Sequence, residues 1–285
     1  MKIFTTRFDI EKYLLLRRNT GKTIGFVPTM GALHQGHLSL IGLAREQNDD
    51  IVCSIFVNPT QFNDPKDLEK YPRTIEADIK LLEQAGCDVL FNPPVTEIYD
   101  GNDQWHMDIG EIEFLLEGKF RPGHYQGVTQ VVYKLFNIVK PDEAFFGQKD
   151  YQQFLVISKM VDHFKLPVKL VMCPIMREPD GLAMSSRNIH LTEVDRRHAL
   201  VLSKTLFWVK EHFSDTKIEA LKQGAAHQIA SENGVELDYF EIVDGQTLLR
   251  ATQKSKEIVA LVAAKVGKTR LIDNVILKPI GYASN

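Results

Sequence analysis

One apolar run constrains the fold of this chain more than any other feature. Residues 51–57, IVCSIFV, contain a single hydroxyl-bearing side chain among apolar neighbours. A strand buried on both faces is a continuous apolar run, whereas a half-exposed strand alternates polar and apolar residues. A shorter apolar strand is predicted at 23–27, and residues 37–47 between the two place Leu38 and Ile41 on one helical face. Strand, helix and strand within about 35 residues predict a βαβ unit.

The same alternation continues along the chain. Further helices are predicted at 9–18, 74–85, 127–139 and 149–164, and further strands at 88–91, 143–146 and 168–173. Alternating strands and helices are typical of an α/β fold. We therefore expect a Rossmann-like, doubly wound parallel sheet in an N-terminal domain of residues 1–176.

The pattern changes after residue 176. Two helices are predicted at 192–212 and 216–231, and three strands follow at 236–243, 257–266 and 269–277. Helices followed by a group of strands favour an α+β unit. We therefore predict a second, smaller domain over residues 177–285.

Composition excludes several classes of protein. Lys and Arg number 34 against 37 Asp and Glu, with no basic stripe, so we expect no nucleic-acid partner. No stretch approaches the roughly 18 apolar residues of a membrane span, and the N-terminus lacks a signal-peptide core. We therefore expect no membrane partner and a cytoplasmic location. The 3 cysteines, Cys53, Cys87 and Cys173, lie far apart in apolar runs, which favours reduced core thiols.

Polar segments follow four of the predicted strands. They are PTMGALHQGH at 28–37, NPTQF at 58–62, GQKDYQQ at 147–153 and the segment that leads to MSSR at 184–187. In open α/β sheets, ligands bind outside the carboxyl ends of the strands. The sequence therefore predicts that these segments meet at one binding site.

The first segment is the most informative. His34 and His37 lie three residues apart at a helix entrance, and Gly36 allows a ligand to approach the backbone. Backbone N–H groups and the positive end of the helix dipole suit an anion there, and imidazoles add hydrogen-bond donors for a phosphate. The alternatives are an ordinary helical turn and a zinc site, although no further zinc ligand lies nearby.

Two other segments offer amides and a Lys–Asp pair. Asn58 and Gln61 suit the hydroxyl and carboxylate groups of a small substrate, with a turn capped by Asn58 as the alternative. Lys149 can neutralise a phosphate. Asp150 can accept from ribose hydroxyls or hold a magnesium-bound water. Ordinary helix capping is the alternative for this pair.

The last two segments contain arginines. Ser185, Ser186 and Arg187 can hold a triphosphate, although a polar loop that caps the next structure has the same composition. Arg121 and His124 lie in the glycine-rich segment 119–127, which is interpreted as a lid, a phosphate contact or a solvated basic loop.

Five segments resemble the pantoate–β-alanine ligase family, within the nucleotidyltransferase superfamily and its HIGH and KMSKS motifs. They are PTMGALHQGH at 28–37, FVNPTQF at 56–62, FRPGHYQGV at 120–128, FFGQKDYQQ at 145–153 and PIMREPDGLAMSSRN at 174–188. They occur in the family's order and span most of the chain. The KMSKS lysine is replaced by Ser186 and Arg187, a replacement typical of this family.

The resemblance implies a two-step reaction. ATP and (R)-pantoate would form pantoyl adenylate and pyrophosphate, and the amine of β-alanine would then release AMP and form pantothenate. Mg²⁺ would accompany ATP without a predicted protein ligand for a metal. The smaller domain would act as a lid that excludes water from the adenylate. The family is usually dimeric, so a homodimer is expected.

The resemblance also implies roles for particular residues. His34, His37, Lys149 and Arg187 would be catalytic, with His37 as proton donor. The nucleotide would contact Met30, Gly31, Ala32, Leu33, His34, Gln35, Gly36, His37, Gly147, Gln148, Lys149, Asp150, Met176, Met184, Ser185, Ser186 and Arg187. The small substrates would contact Asn58, Gln61, Arg121 and Gln153.

Three other functions are considered. A sister nucleotidyltransferase lacks the pattern of Asn58, Gln61 and Gln153. An aminoacyl-tRNA synthetase would need a basic appendage, which the net charge of −3 disfavours. A nucleotide-sensing module would bind ATP without turnover, and the presence of both histidines and Lys149 disfavours it.

Overall fold

A parallel sheet of six strands organises the first part of the chain in the computed structural model, which describes residues 1–101, 104–214 and 216–279. Its strands are β1 (Lys2–Phe4), β2 (Ile24–Thr29), β3 (Asp50–Ile55), β4 (Val89–Phe91), β5 (Glu143–Gly147) and β6 (Lys169–Cys173). Their order in the sheet is β1-β4-β3-β2-β5-β6. After β2, the next strands β3 and β4 are added on one side of it, and β5 and β6 are added on the other side. Such a reversal is where doubly wound sheets bind ligands.

Helices cover both faces of this sheet. They are α1 (Arg7–Asn19), α2 (Gln35–Gln47), α3 (Pro65–Lys70), α4 (Ile75–Ala85), α5 (Val95–Ile98), α6 (Leu116–Phe120), α7 (His124–Val139) and α8 (Tyr151–Phe164). One apolar core holds residues of α1, α7 and α8, and a second holds residues of α2 and α4. Neighbouring residues of β3 enter opposite cores, Val52 the first and Cys53 the second. This burial on both faces explains the apolar run.

A smaller antiparallel sheet organises the second part of the chain. Helices α9 (Glu193–Glu211) and α10 (Ile218–Ala230) precede β7 (Val235–Asp244), β8 (Ile258–Val266) and β9 (Thr269–Lys278), and β8 lies in the middle of this sheet. Buried residues of both helices and all three strands share one apolar core. The predicted α/β sheet and the α+β character of the second part are confirmed.

The chain divides into two compact units. The first comprises Met1–Gln148 and Gln152–Pro174, and the second comprises Lys149–Tyr151 and the chain from Ile175 onward. Within the second unit, the hydroxyl of Tyr151 donates to the carbonyl oxygen of Gly245 at 2.8 Å. The domain boundary at 176/177 stays a prediction.

One strand differs from its predicted range, and one was not predicted. The strand predicted at 23–27, with Pro28 as its end, continues to Thr29, because Pro28 and Thr29 still pair with β3 while β5 pairs only with Gly25 and Phe26. The missing N–H of Pro28 thus leaves the ladder intact. Strand β1 was not predicted, since three largely exposed residues at a sheet edge give no apolar pattern. Among the described residues, no helix has the length and apolar character needed to cross a bilayer.

All three cysteines are buried and free, as predicted. Burial raises the pKa of Cys87 to about 12 and that of Cys173 to about 11, and it also raises the pKa of Cys53. A thiol must ionise to react as a nucleophile. We therefore expect an aromatic disulfide reagent to leave all three unmodified in the native protein at mildly alkaline pH, and to modify all three in guanidinium. Rapid modification of any of them in the native protein would contradict the burial described here.

Candidate active site

The loop that follows β2 is held in place by a buried carboxylate on α4. The backbone N–H groups of Ala32 and Leu33 donate to the two oxygens of Asp78 at 3.0 and 2.8 Å, and the hydroxyl of Thr74 donates at 3.2 Å. Asp78 is 2% exposed. Gly31 has φ 84°, and a Cβ there would lie 3.1 Å from an Asp78 oxygen. The loop therefore packs directly on this carboxylate.

His34 and His37 cap the helix that the loop leads into. Nδ1 of His34 accepts from the N–H of Gly36 at 3.1 Å, and Nδ1 of His37 accepts from the N–H of His34 at 3.3 Å. The ring centroids are 4.1 Å apart. A nitrogen that accepts carries no proton, so a neutral imidazole must carry it on Nε2. Both rings thus have an Nε2–H donor at the positive end of α2.

The segment after β3 positions Gln61 through Asn58. The amide of Asn58 donates to Oε1 of Gln61 at 3.2 Å and to the carbonyl of Gly127 at 3.1 Å. Its oxygen accepts from Tyr99 at 2.7 Å and from Thr60, and Asn58 is 1% exposed. These contacts are those of a positioning residue and of the turn cap considered above. A direct contact of Asn58 with substrate stays a prediction.

Gln61 brings the second loop to the first. Its Nε2 donates to Sδ of Met30 at 3.0 Å, so the loops after β2 and β3 meet as predicted. Because Asn58 fixes the amide oxygen, the orientation of the Gln61 amide is determined as well.

The start of α7 supports the backbone of Gln61. Nδ1 of His124 lies 2.9 Å from the carbonyl oxygen of Gln61, and its Nε2 lies 3.0 Å from Nη1 of Arg121. A Cβ on Gly127 would lie 2.4 Å from the carbonyl oxygen of Thr60, so only glycine fits. His124 is buried, and the alternative of a solvated basic loop is therefore wrong for this residue.

Residues after β5 are divided between the two units. Gly147 ends β5, where it pairs with Cys173 of β6, and Gln148 follows it. Gln148 and the half-buried Gln153 on α8 both belong to the first unit. In the second unit, Nζ of Lys149 lies 4.0 Å from a carboxylate oxygen of Asp150, whose side chain is half exposed.

The second unit contains the remaining predicted contacts. Met184 donates its N–H to the carbonyl of Met176 at 3.0 Å, and Ser185 caps the short 3₁₀ helix Ser186–His190. Ser185 and Lys149 line one narrow cavity of this unit. Arg187 is exposed, and its Nη1 donates to the carbonyl of Arg270 at 3.4 Å. Ser185 therefore caps the 3₁₀ helix, which is the alternative considered above, and it also lies near Lys149.

Sequence reasoning missed Asp78 and Tyr99, and it singled out His124 without assigning it the support of Gln61. Asp78 carries a usable signal, because it lies three residues after Ile75 and four before Leu82, on the apolar side of α4. A carboxylate on a buried helix face needs hydrogen-bond partners. In the described part of the chain, no group of three or more His, Cys, Asp or Glu side chains could hold a metal ion.

Asp78→Asn should lower the free energy of unfolding by about 1–3 kcal/mol, because an amide replaces two acceptor oxygens with one and leaves a buried N–H unpaired. Urea denaturation would measure the change. Asp67→Asn, an exposed position of the same unit, is the matched control and should have little effect. Equal stability of the two variants would contradict the role given to Asp78.

Comparison with known proteins shows close relatives over the full length. Residues 2–276 match the family model described as pantoate-beta-alanine ligase. The pantothenate synthetase of Acetivibrio thermocellus is 45% identical over 280 residues, covering 98% of this chain and 100% of that protein. That of Thermotoga neapolitana is 47% identical over 279 residues, covering 97% and 100%.

Solved structures agree with this result. The pantothenate synthetase of Thermus thermophilus superposes with a TM-score of 0.90 at 39% identity, covering 98% of this chain and 100% of that one. The pantoate-beta-alanine ligase of Francisella tularensis, complexed with beta-gamma ATP and beta-alanine, has a TM-score of 0.77 at 38% identity, with 97% and 98% coverage. With its motifs, fold and relatives all in agreement, this chain belongs to the pantoate–β-alanine ligase family.

Proposed function

We propose that the chain joins (R)-pantoate to β-alanine at the expense of ATP, through a pantoyl-adenylate intermediate, and releases AMP and pyrophosphate. The observation that carries this proposal is the pair of capping histidines. Their Nδ1 atoms are engaged by the backbone, so Nε2 carries the proton at a helix end that attracts anions. Family membership supplies the identity of the substrates.

In the first step a pantoate carboxylate oxygen attacks the α-phosphorus of ATP, and the bond to the pyrophosphate oxygen breaks. Negative charge develops on phosphate oxygens, so hydrogen-bond donors and cations provide the catalysis. His34 and His37 donate from Nε2, with His37 as proton donor, and Lys149 stabilises the charge. Ser185, Ser186 and Arg187 hold the departing phosphates.

In the second step the amine of β-alanine attacks the acyl carbon of the adenylate, and AMP leaves. Gln61 and Gln153 hold the pantoate group in both steps. Arg121 contacts one of the small substrates. The fixed orientation of the Gln61 amide supports this assignment, because it gives the substrate one donor in a defined place.

The remaining nucleotide contacts come from the segments already described. Residues 30–37, Gly147, Gln148, Asp150, Met176 and Met184 would also contact the nucleotide. Mg²⁺ would be held mainly by phosphate oxygens and would neutralise their charge. The half-exposed carboxylate of Asp150 fits this ion as an acceptor for metal-bound water.

Family membership alone supports two further proposals. The chain forms a homodimer, and it works in the cytoplasm on small molecules without a nucleic-acid or membrane partner.

Isotope exchange tests the proposed order of the chemistry. The protein should exchange labelled pyrophosphate into ATP when pantoate and Mg²⁺ are present and β-alanine is absent, because the carboxylate is activated before an amine is needed. Omission of pantoate should stop the exchange, since no nucleophile then reaches the α-phosphorus. If exchange required β-alanine, or if ADP were released instead of AMP, the adenylate mechanism would be wrong.

His37→Ala should slow pyrophosphate exchange about 100- to 1000-fold, the usual effect of removing a donor that acts in the transition state. His37→Asn is the matched variant, because its side-chain oxygen can still accept from the N–H of His34 while the Nε2–H donor is lost. We expect the two variants to be equally impaired. Wild-type exchange in a folded His37→Asn protein would show that His37 acts only as a helix cap.

A further inference from the structure

Two polar residues are buried side by side on β9. Asp273 is 4% exposed and Asn274 is 1% exposed. Residues 269–273 alternate between buried and half-buried, but 273, 274 and 275 are all buried. Both faces of the strand are therefore covered at this point. Buried polar side chains need hydrogen-bond partners, and the partners of these two lie in different segments of the second unit.

Asp273 holds the hairpin of residues 177–183, which leads to Ser185. Its carboxylate oxygens accept from Nη1 and Nη2 of Arg177 at 2.7 and 3.0 Å. Nη1 of Arg177 also donates to the carbonyl of Gly181 at 3.1 Å, and Arg177 pairs with Ala183 across the hairpin. This bidentate ion pair therefore fixes both arms of the hairpin, whose second arm continues into Ser185.

Asn274 holds Lys149. Its Nδ2 donates to the backbone carbonyl of Lys149 at 3.0 Å. Asp273, Lys149 and Ser185 line the same narrow cavity. Burial raises the pKa of the Asp273 carboxyl, while the charges of Arg177 and Lys149 act against that rise. The dipeptide 273–274 thus connects the two segments to which phosphate contacts are assigned.

Stability alone does not account for the ion pair. Taking two charges out of water costs about as much as their attraction returns, and apolar replacements of buried pairs are often neutral or stabilising. The side chain of Arg177 is 17% exposed and that of Asp273 is 4% exposed, so this cost applies here. The ion pair supplies a fixed geometry, because a planar guanidinium that donates from both terminal nitrogens has one orientation.

We propose that Asp273 and Asn274 are positioning residues that set the place of Lys149 and of Ser185–Arg187 for holding the triphosphate of ATP. This inference rests on the proposed function for its assignment of phosphate contacts to Lys149 and Ser185–Arg187. Asp273 acts through Arg177 and the hairpin, and Asn274 acts through the backbone of Lys149. Neither residue needs to touch ATP.

The main test uses Arg177→Met combined with Asp273→Leu, which removes both charges and puts apolar side chains of similar shape in their place. Asp273→Asn and Asn274→Ala test each contact alone. Besides the melting temperature, three quantities are measured: affinity for β,γ-methylene ATP, pyrophosphate exchange, and aminolysis of supplied pantoyl adenylate. Ile229→Val, a buried position of α10 away from these contacts, is the control for general loss of stability in the same unit.

We expect the double variant to keep its melting temperature while binding of the analogue and exchange fall about 10- to 100-fold, the loss that a displacement near 1 Å causes. Aminolysis should stay near the wild-type rate, because that step involves no triphosphate. Asp273→Asn and Asn274→Ala should change the same two quantities to a smaller extent. Ile229→Val should change none of the three.

Two results would overturn the inference. One is wild-type analogue binding and exchange in all three variants. The other is an equal fall of exchange and aminolysis together with stability, which is the mark of a purely structural role. A wild-type protein that binds the analogue but shows no exchange would refute the proposed function, and the variants' affinities would still decide the inference. A wild-type protein that binds no analogue would overturn both.

Discussion

The contact between Asp78 and the loop after β2 is the interaction on which the candidate site depends. Two backbone N–H groups of the loop reach one carboxylate, and the loop then enters α2 at His34. Ala32 has φ 51°, an unusual conformation for a residue with a Cβ, and the carboxylate offsets its cost. The position of both histidines therefore follows from a residue that is more than 40 positions away in the sequence.

Polar groups hold the candidate site residues in different ways. In the first unit, the neutral amide of Asn58 orients Gln61, while the carboxylate of Asp78 holds the loop after β2. In the second, charged and amide groups on β9 fix whole segments, as Asp273 does through Arg177. A bidentate ion pair suits a segment that must keep its shape, because its two parallel hydrogen bonds fix one relative orientation.

Much of the fold could be predicted because its central strands are buried on both faces. The apolar runs of β3 and β5 have the composition expected of such strands, and the amphipathic helices that alternate with the strands have clear periodicity. Strand β1 and the short helices α3, α5 and α6 could not be predicted, since segments of three to six residues carry too few apolar positions to show a period.

The site was predictable where motifs lie at strand ends, and Met30 and Gln61 do meet there. Asp78 and Tyr99 were not, nor was the contact of His124 with Gln61, because these contacts join segments far apart in the chain. Nothing in the local sequence distinguishes Tyr99 from other tyrosines, and only the structure shows that its hydroxyl donates to Asn58. The division of Gln148 and Lys149 between the two units was equally hidden, since the contact of Lys149 with Asn274 also joins distant segments.

The close approach of Gly127 to the turn at 59–61 has a consequence for how this site can change over time. Because main chain lies on main chain there, the separation of α7 from this turn is set by contact between backbones rather than by the fit of side chains. We therefore expect apolar residues behind α7 to tolerate exchange for others of similar volume without displacing the turn. The place of Gln61 is thereby insulated from sequence drift in the core that supports it.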